Sequence, residues 1–176
     1  MMNLSPRIQK RTGFGADLAF AVVVLASYFA TFSTLSNAEN LDVTLMVILG
    51  ILYIAIGIYG FSYCVRSDSL LVQLVYFLIQ IPLGGWIVYL GKGAGFNAMV
   101  LFPLAGHSVM LLQSIWIYAA NAGIMAAYLA ASLAFSSSMP EVWSGLPTFA
   151  AGQIFIILFT QMAVNEQRGM RRHING

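Results

Sequence analysis

The chain has 176 residues, 60% hydrophobic and 8% charged, with eight Lys or Arg against six Asp or Glu and a mean hydropathy of +0.84. Soluble domains are about 45–50% apolar and ~25% charged, so too few charges are present to cover a water-soluble globule of this size. The same counts exclude a disordered chain, which is poor in apolar residues. A single cysteine, Cys64, excludes an intrachain disulfide framework and a multi-cysteine metal site, and a net charge of +2 gives no footprint for nucleic acid.

A helix crossing a bilayer needs about 20 mainly apolar residues, and the charges here punctuate such stretches. A basic N-terminal segment over residues 1–15, with Arg7, Lys10 and Arg11, precedes a first span over 16–35. Ser36-Asn37-Ala38 resembles a small-x-small cleavage site. The apolar run before it is about twenty residues, against 7–15 for a signal peptide, so the first span is expected to stay in the chain. A second span covers 43–65, closed by Arg66 and Asp68, and a third covers 70–90, ending at Gly91-Lys92-Gly93-Ala94-Gly95.

The stretch from Phe96 to Phe135 carries no Asp, Glu, Lys or Arg. As one helix rising ~1.5 Å per residue it would reach about 60 Å, twice the ~30 Å hydrocarbon core. It must fold back, and Gln113-Ser114 is the expected turn, giving a short span over 97–112 and another over 115–135. A polar loop with Ser136, Ser137, Ser138, Pro140 and Glu141 leads to a last span over 146–164 and a helical tail over 165–176. The expected fold is therefore all-α and polytopic, with six transmembrane helices. With the N-terminus inside, Arg7, Lys10, Arg11, Arg66, Arg168, Arg171 and Arg172 are cytoplasmic and only Lys92 is outside. That seven-to-one split places both termini in the cytoplasm, in the inner or plasma membrane of a prokaryote.

Apolar burial does not drive helix association in lipid, so close packing and polar contacts must. In the fifth span Ala119, Gly123, Ala127 and Ala131 recur every four residues with Ala122, Ala126 and Ala130 beside them, a small-residue strip suited to helix packing or to a homodimer interface. In the third, Gln73 and Gln80 share a face and precede Pro82 and Gly84-Gly85, where a kink is expected. Asn121, Gln153 and Gln161 are further buried amides, either interhelical links or parts of a ligand pocket. Trp86, Trp116 and Trp143 lie toward span ends with Tyr28, Tyr63, Tyr89 and Tyr118, as an interfacial belt requires.

Little catalytic chemistry is present. Gly106-His107-Ser108-Val109-Met110 has Met110 where a nucleophile elbow needs glycine. An intramembrane serine protease needs a histidine on another helix, and the other histidine is His173 in the tail. The glycine-rich turn at Lys92 lacks the G-K-[ST] ending of a phosphate loop. Asp17 and Arg66 are placed at helix ends, which leaves no acid or base inside a span for an ion pathway. His107 is the one ionisable side chain within an apolar span, hence a sensing or ligand-contacting candidate. No catalytic residue, metal or cofactor is assigned.

The last span passes without a break into Val164-Asn165-Glu166-Gln167-Arg168, followed by Arg171-Arg172. Each arginine near anionic headgroups is worth roughly 1 kcal/mol. This junction resembles the membrane sensor modules of bacterial two-component histidine kinases, of the multi-pass class that partners LuxR-like response regulators. Leu101-Phe102-Pro103-Leu104-Ala105-Gly106-His107-Ser108-Val109-Met110-Leu111-Leu112 is similar to the short fourth span of such modules. The resemblance implies a homodimeric input module whose tail (Glu166, Arg168, Arg171, Arg172) relays a membrane or small-ligand signal to a cytoplasmic kinase core. It covers the six-span layout and these two patches. The phosphoacceptor helix and ATP-binding domain of a kinase are not in this sequence, and His173, followed by Ile174, does not fit a phosphoacceptor. The chain reads as a sensor fragment or as a truncated relative acting through a partner. The alternatives are a substrate-binding subunit of an energy-coupling-factor vitamin transporter, with Ala26-x-x-x-Ala30 as a docking face, or a structural subunit of a membrane complex.

Overall fold

Lipid offers backbone N–H and C=O groups no water, so a spanning chain must be helical or a closed barrel. The computed structural model describes residues 6–34, 42–94, 96–136 and 138–174, and among these every regular element is a helix. They are α1 (Pro6–Thr34), α2 (Val43–Ser67), α3 (Leu70–Leu90), a 3-10 turn (Asn97–Leu101) running into α4 (Phe102–Leu111), α5 (Ile115–Phe135) and α6 (Met139–Ile174). Five helices are long and apolar enough to cross a membrane, over Gly15–Thr34, Val43–Ser67, Leu70–Leu90, Ile115–Phe135 and Met139–Gln167. The sixth apolar helix, Asn97–Leu111, is shorter. With ~2.0 Å per residue in its 3-10 turn and ~1.5 Å in α4, it is about 25 Å long.

The charge-free stretch folds back at the expected place. α4 ends at Leu111 and α5 begins at Ile115, with Ser114 at a positive φ of 37° in the turn. The glycine-rich segment after α3 turns through Lys92 (φ 47°) and Gly93 (φ 69°). The side-chain amide of Asn97 then donates to the carbonyls of Ile87 and Val88 at 3.1 and 3.0 Å, capping the end of α3. Two helices extend beyond the apolar segments read from the sequence. α1 starts at Pro6, and α6 starts at Met139, so the polar loop shrinks to residues 136–138. Pro140 is tolerated in a first turn, where its missing N–H has no intrahelical partner to lose. Glu141 places a carboxylate at the positive end of the helix dipole and accepts a 2.9 Å hydrogen bond from Ser136 Oγ. Ser36-Asn37-Ala38 lies outside the described residues. α3 continues through Pro82 to Leu90 as one helix.

The short helix is the centre of the bundle. α4 packs on every other helix, while α1, α2, α3, α5 and α6 follow one another around it as neighbours. The ring does not close, because α1 and α6 share no substantial contact among the described residues. Leu101, Leu104, Ala105, His107, Ser108 and Leu111 of the central segment are all buried. Large exposed side chains such as Phe29, Tyr59, Leu71, Leu78 and Phe155 point outward, the inverse of a soluble domain, and Trp86, Trp143, Tyr63, Tyr89 and Tyr118 are among them.

Close approach depends on glycine. On α2, Gly50, Gly57 and Gly60 form notches that receive the rings of Tyr28, Phe20 and Tyr76. A Cβ at Gly50 would stand 2.6 Å from the Tyr28 ring, and one at Gly60 would stand 2.8 Å from Tyr76. At Gly57 it would overlap the Phe20 ring and come within 3.1 Å of Gln80 Nε2. Overpacking of this kind costs about 1–3 kcal/mol. Gly57→Ala should therefore lower stability in detergent by that amount, while Gly15→Ala, with nothing within 4 Å, should leave unfolding unchanged. Equal midpoints for the two variants in denaturant titrations would refute the notch.

Candidate functional site

His107 stands where four helices meet. Its ring is stacked between Phe20 of α1 (centroids 5.0 Å apart, planes at 15°) and Phe61 of α2 (4.2 Å, 26°). Its Nδ1 lies 2.8 Å from the Tyr76 hydroxyl of α3. The residue is 5% exposed. A polar ring at this depth is tolerable because both faces meet aromatic carbon and one nitrogen is hydrogen-bonded. Position 20 lies six residues into the apolar segment of α1, Phe61 lies six before the end of α2, and Tyr76 lies six after the start of α3. The four side chains thus share one level in the half of the bundle that holds the α2–α3 and α4–α5 turns.

His107 is also the back wall of a lateral crevice. The gap between α1 and α6 leaves one side of α4 uncovered, and a cavity of about 250 Å³ lies there. Phe20 and Val23 line it from α1, Met99, Phe102 and Met110 from the central segment, and Ile156 and Thr160 from α6. Asp17, one turn before Phe20, was placed at a helix end by its sequence context. Because α1 begins at Pro6, Asp17 is instead inside the helix, half-buried, with Oδ1 buried and without a hydrogen-bond partner among the described residues.

A second polar group joins α4, α5 and α6. Asn121 Nδ2 donates to Ser108 Oγ and to its own helix at Ile117 O, both at 2.8 Å. Gln153 Nε2 donates to Asn121 Oδ1 and Asn121 O, both at 2.9 Å. Ser108 Oγ in turn donates to Ala105 O at 2.7 Å. This hydroxyl is therefore a link in the bundle, engaged on both sides. Further toward the turn, Gln161, Val164 and Asn165 of α6 face Leu112, Gln113 and Ser114 across an open cleft of about 460 Å³.

The sequence-derived residues thus divide into separate places. Gln73 and Gln80 are both buried on the face of α3 that carries Tyr76. Gln80 Nε2 donates to Tyr53 O at 2.8 Å, and its Oε1 is buried without a partner among the described residues. Asn121 and Gln153 share one network, whereas Gln161 belongs to the cleft by the turn. Pro82 is exposed beside the α3–α5 seam, and Gly84 and Gly85 are buried. A Cβ on Gly85 would meet Ala127 Cβ at 3.2 Å, and one on Gly123 would meet Ile81 at 3.4 Å, so the small-residue strip packs α5 on α3. Its neighbouring row, Ala122, Ala126 and Ala130, remains exposed. Glu166 is exposed on α6; the side chains of Arg168, Arg171 and Arg172 lie outside those described.

Phe20, Phe61 and Tyr76 were not singled out by the sequence, and Ser108 entered only through the rejected nucleophile motif. Tyr76 shares a helix face with Gln73 and Gln80, which is the one signal available for it. Among the described residues no group of three or more His, Cys, Asp or Glu could hold a metal ion. Comparison with known proteins gives no matching family model, no similar curated protein and no similar solved structure.

Interhelical hydrogen bonds in membranes average about 0.6 kcal/mol and reach about 1.7. A double-mutant cycle with Asn121→Val and Gln153→Leu should give a coupling in that range when unfolding is followed in mixed micelles. Strictly additive effects would mean that the two amides do not bond.

Proposed function

We propose that this chain is a membrane signal-input module of the type found in multi-pass two-component sensor kinases, acting on a cytoplasmic kinase core through α6. The observation that carries this reading is the continuity of α6. It runs as one helix from Met139 to Ile174, about 54 Å at 1.5 Å per residue, well beyond the ~30 Å of the hydrocarbon. Along its length α6 lines the lateral crevice at Ile156 and Thr160, bonds to Asn121 through Gln153, and passes the α4–α5 turn at Gln161 and Asn165. A change at the crevice therefore has a short mechanical route into the segment that leaves the bundle. The two-state element is the seating of α6 against α4 and α5, where Phe102 and Tyr128 lie on Gly152 and Gly145 and a shift or rotation must unseat them.

In this reading the central helix is a sixth crossing, its ~25 Å made sufficient by burial inside the ring. Six crossings with seven of eight basic residues on one side put both termini in the cytoplasm. Arg168, Arg171 and Arg172 then meet anionic headgroups where α6 exits. The exposed row Ala122, Ala126, Ala130 supplies a face for a second copy. One observation favours the transporter-subunit reading. Ala26 is exposed and Ala30 only half-buried on α1, which leaves that face open to another membrane protein.

The relay is tested by helical phase. One alanine inserted after Gln167 turns everything beyond it by ~100°, whereas seven return it to within about 20°. With a kinase core fused beyond the tail, one inserted alanine should change autophosphorylation several-fold, and seven should restore it. Indifference to both insertions would reject α6 as the output. A vitamin co-purifying at one per chain would instead establish the transporter subunit. In a Cys64→Ser background, a membrane-impermeant thiol reagent should label Lys92→Cys in intact cells and spare Arg172→Cys; the reverse would overturn the orientation.

A further inference from the structure

From the lateral crevice we infer a binding site for an uncharged, membrane-soluble ring carbonyl of quinone type, held by a hydrogen bond from His107 Nε2–H. The partners of the imidazole decide which of its nitrogens carries the proton. Tyr76 Oη has His107 Nδ1 as its one hydrogen-bond partner among the described residues. If Nδ1 carried the proton and donated to Tyr76, the phenolic O–H would be left buried and unpaired, the more unfavourable arrangement. The tyrosine therefore donates to Nδ1, and Nε2 carries the proton. Both ring faces are covered by Phe20 and Phe61, so the edge bearing Nε2 is what His107 contributes to the crevice wall. A side chain 95% buried (5% exposed) thus presents a donor with no partner among the described residues into a space whose other lining side chains, Thr160 excepted, are apolar.

That donor and its surroundings select the ligand. The matching group is an acceptor oxygen, and a ring carbonyl supplies one without adding a proton that the apolar walls would leave unpaired. The ligand is uncharged because no cationic side chain among the described residues lines the crevice, and carrying a charge into a lipid-facing site is unfavourable. It arrives from the bilayer, since the opening lies in the gap between α1 and α6, whose flanks carry the exposed Val22 and Phe159. Phe20 and Phe102 in the walls suit a flat ring, and Met99 and Met110 supply adaptable, polarisable contacts. The cavity, about 250 Å³, is below the ~300–1,000 Å³ of pockets that enclose whole drug-sized ligands. One ring fits, and an alkyl tail stays in the lipid. Binding stands on this geometry alone; its role as the input signal rests on the module proposed above.

The chain has two histidines, so His173→Gln leaves His107 as the sole imidazole signal of the whole chain, labelled with 15N and placed in lipid nanodiscs. The expected spectrum is that of the Nε2–H tautomer, with a saturable shift of Nε2 on adding decylbenzoquinone and no shift with decylbenzene, which has the ring and tail but no carbonyl. Met110→Trp, at an exposed position on the crevice mouth, should weaken the quinone at least tenfold. If it does not accumulate, Thr160→Leu narrows the same mouth from α6. An Nδ1–H tautomer, equal shifts with both compounds, or undiminished binding in the blocked variant would overturn the site. No kinase is present in this measurement, so its failure leaves the α6 relay intact, and failure of the insertion series leaves the binding site intact.

Discussion

The bundle depends on holding a helix of fifteen residues (Asn97–Leu111) in the middle of five longer ones without water. Each neighbour in the ring sends it a polar or aromatic contact. Ser27 of α1 donates to Asn97 O at 3.1 Å, and Tyr53 of α2 donates to Val100 O at 2.7 Å. Tyr76 of α3 engages His107, and Asn121 of α5 donates to Ser108 Oγ. α6 joins the set through Gln153 and by stacking Phe149 on Phe102 at 5.2 Å. Four of these hydrogen bonds end on the central segment, at its first residue, its 3-10 turn and the middle of α4. Because such bonds average only ~0.6 kcal/mol each, the helix is positioned by the number and direction of its ties, and no single one is indispensable.

Packing supplies the remainder, and its form follows from the solvent. Lipid tails are as apolar as leucine, so contact must be closer or better shaped than contact with lipid. The chain achieves this by matching rings to absent side chains. Tyr28, Phe20 and Tyr76 enter the glycine notches of α2, Phe102 lies against Gly152, and Tyr128 Oη stands where a Cβ of Gly145 would be. The α3–α5 seam uses small against small instead, Gly85 on Ala127. Seams of the second kind can slide, whereas a ring in a notch resists sliding. That contrast makes α3–α5 the seam that can slide, while rings in notches hold α2 to α1 and α3 and hold α6 to α4 and α5.

How legible this was in the sequence differs by feature. The 8% charge fixed the solvent, and the absence of charge between Phe96 and Phe135 forced a fold-back at Gln113-Ser114. Gln73 and Gln80 were readable as one face because seven residues make nearly two turns. The aromatic cage was not readable, since Phe20 and Phe61 satisfy lipid and core equally well and no pattern distinguishes the two. Asp17 was misplaced for a related reason. Where α1 begins depends on Pro6, which can open a helix, and the polar stretch after it gave no hydrophobic signal. The amide pair Asn121–Gln153 was legible as two buried amides, and only the packing of α5 against α6 made them partners.

The same energies bound what a ligand in the crevice can do. Reversing a 1:99 equilibrium to 99:1 needs about 5.5 kcal/mol of differential affinity. One hydrogen bond from His107 contributes about 0.5–1.5 kcal/mol net, and the gain counts only so far as it differs between the two seatings of α6. A ligand touching α4 at His107 and α6 at Thr160 can thus supply on the order of one to two kcal/mol of bias, roughly a five- to thirtyfold shift. Within the proposed module such an input gives a graded shift in the population of α6 seatings rather than an all-or-none switch.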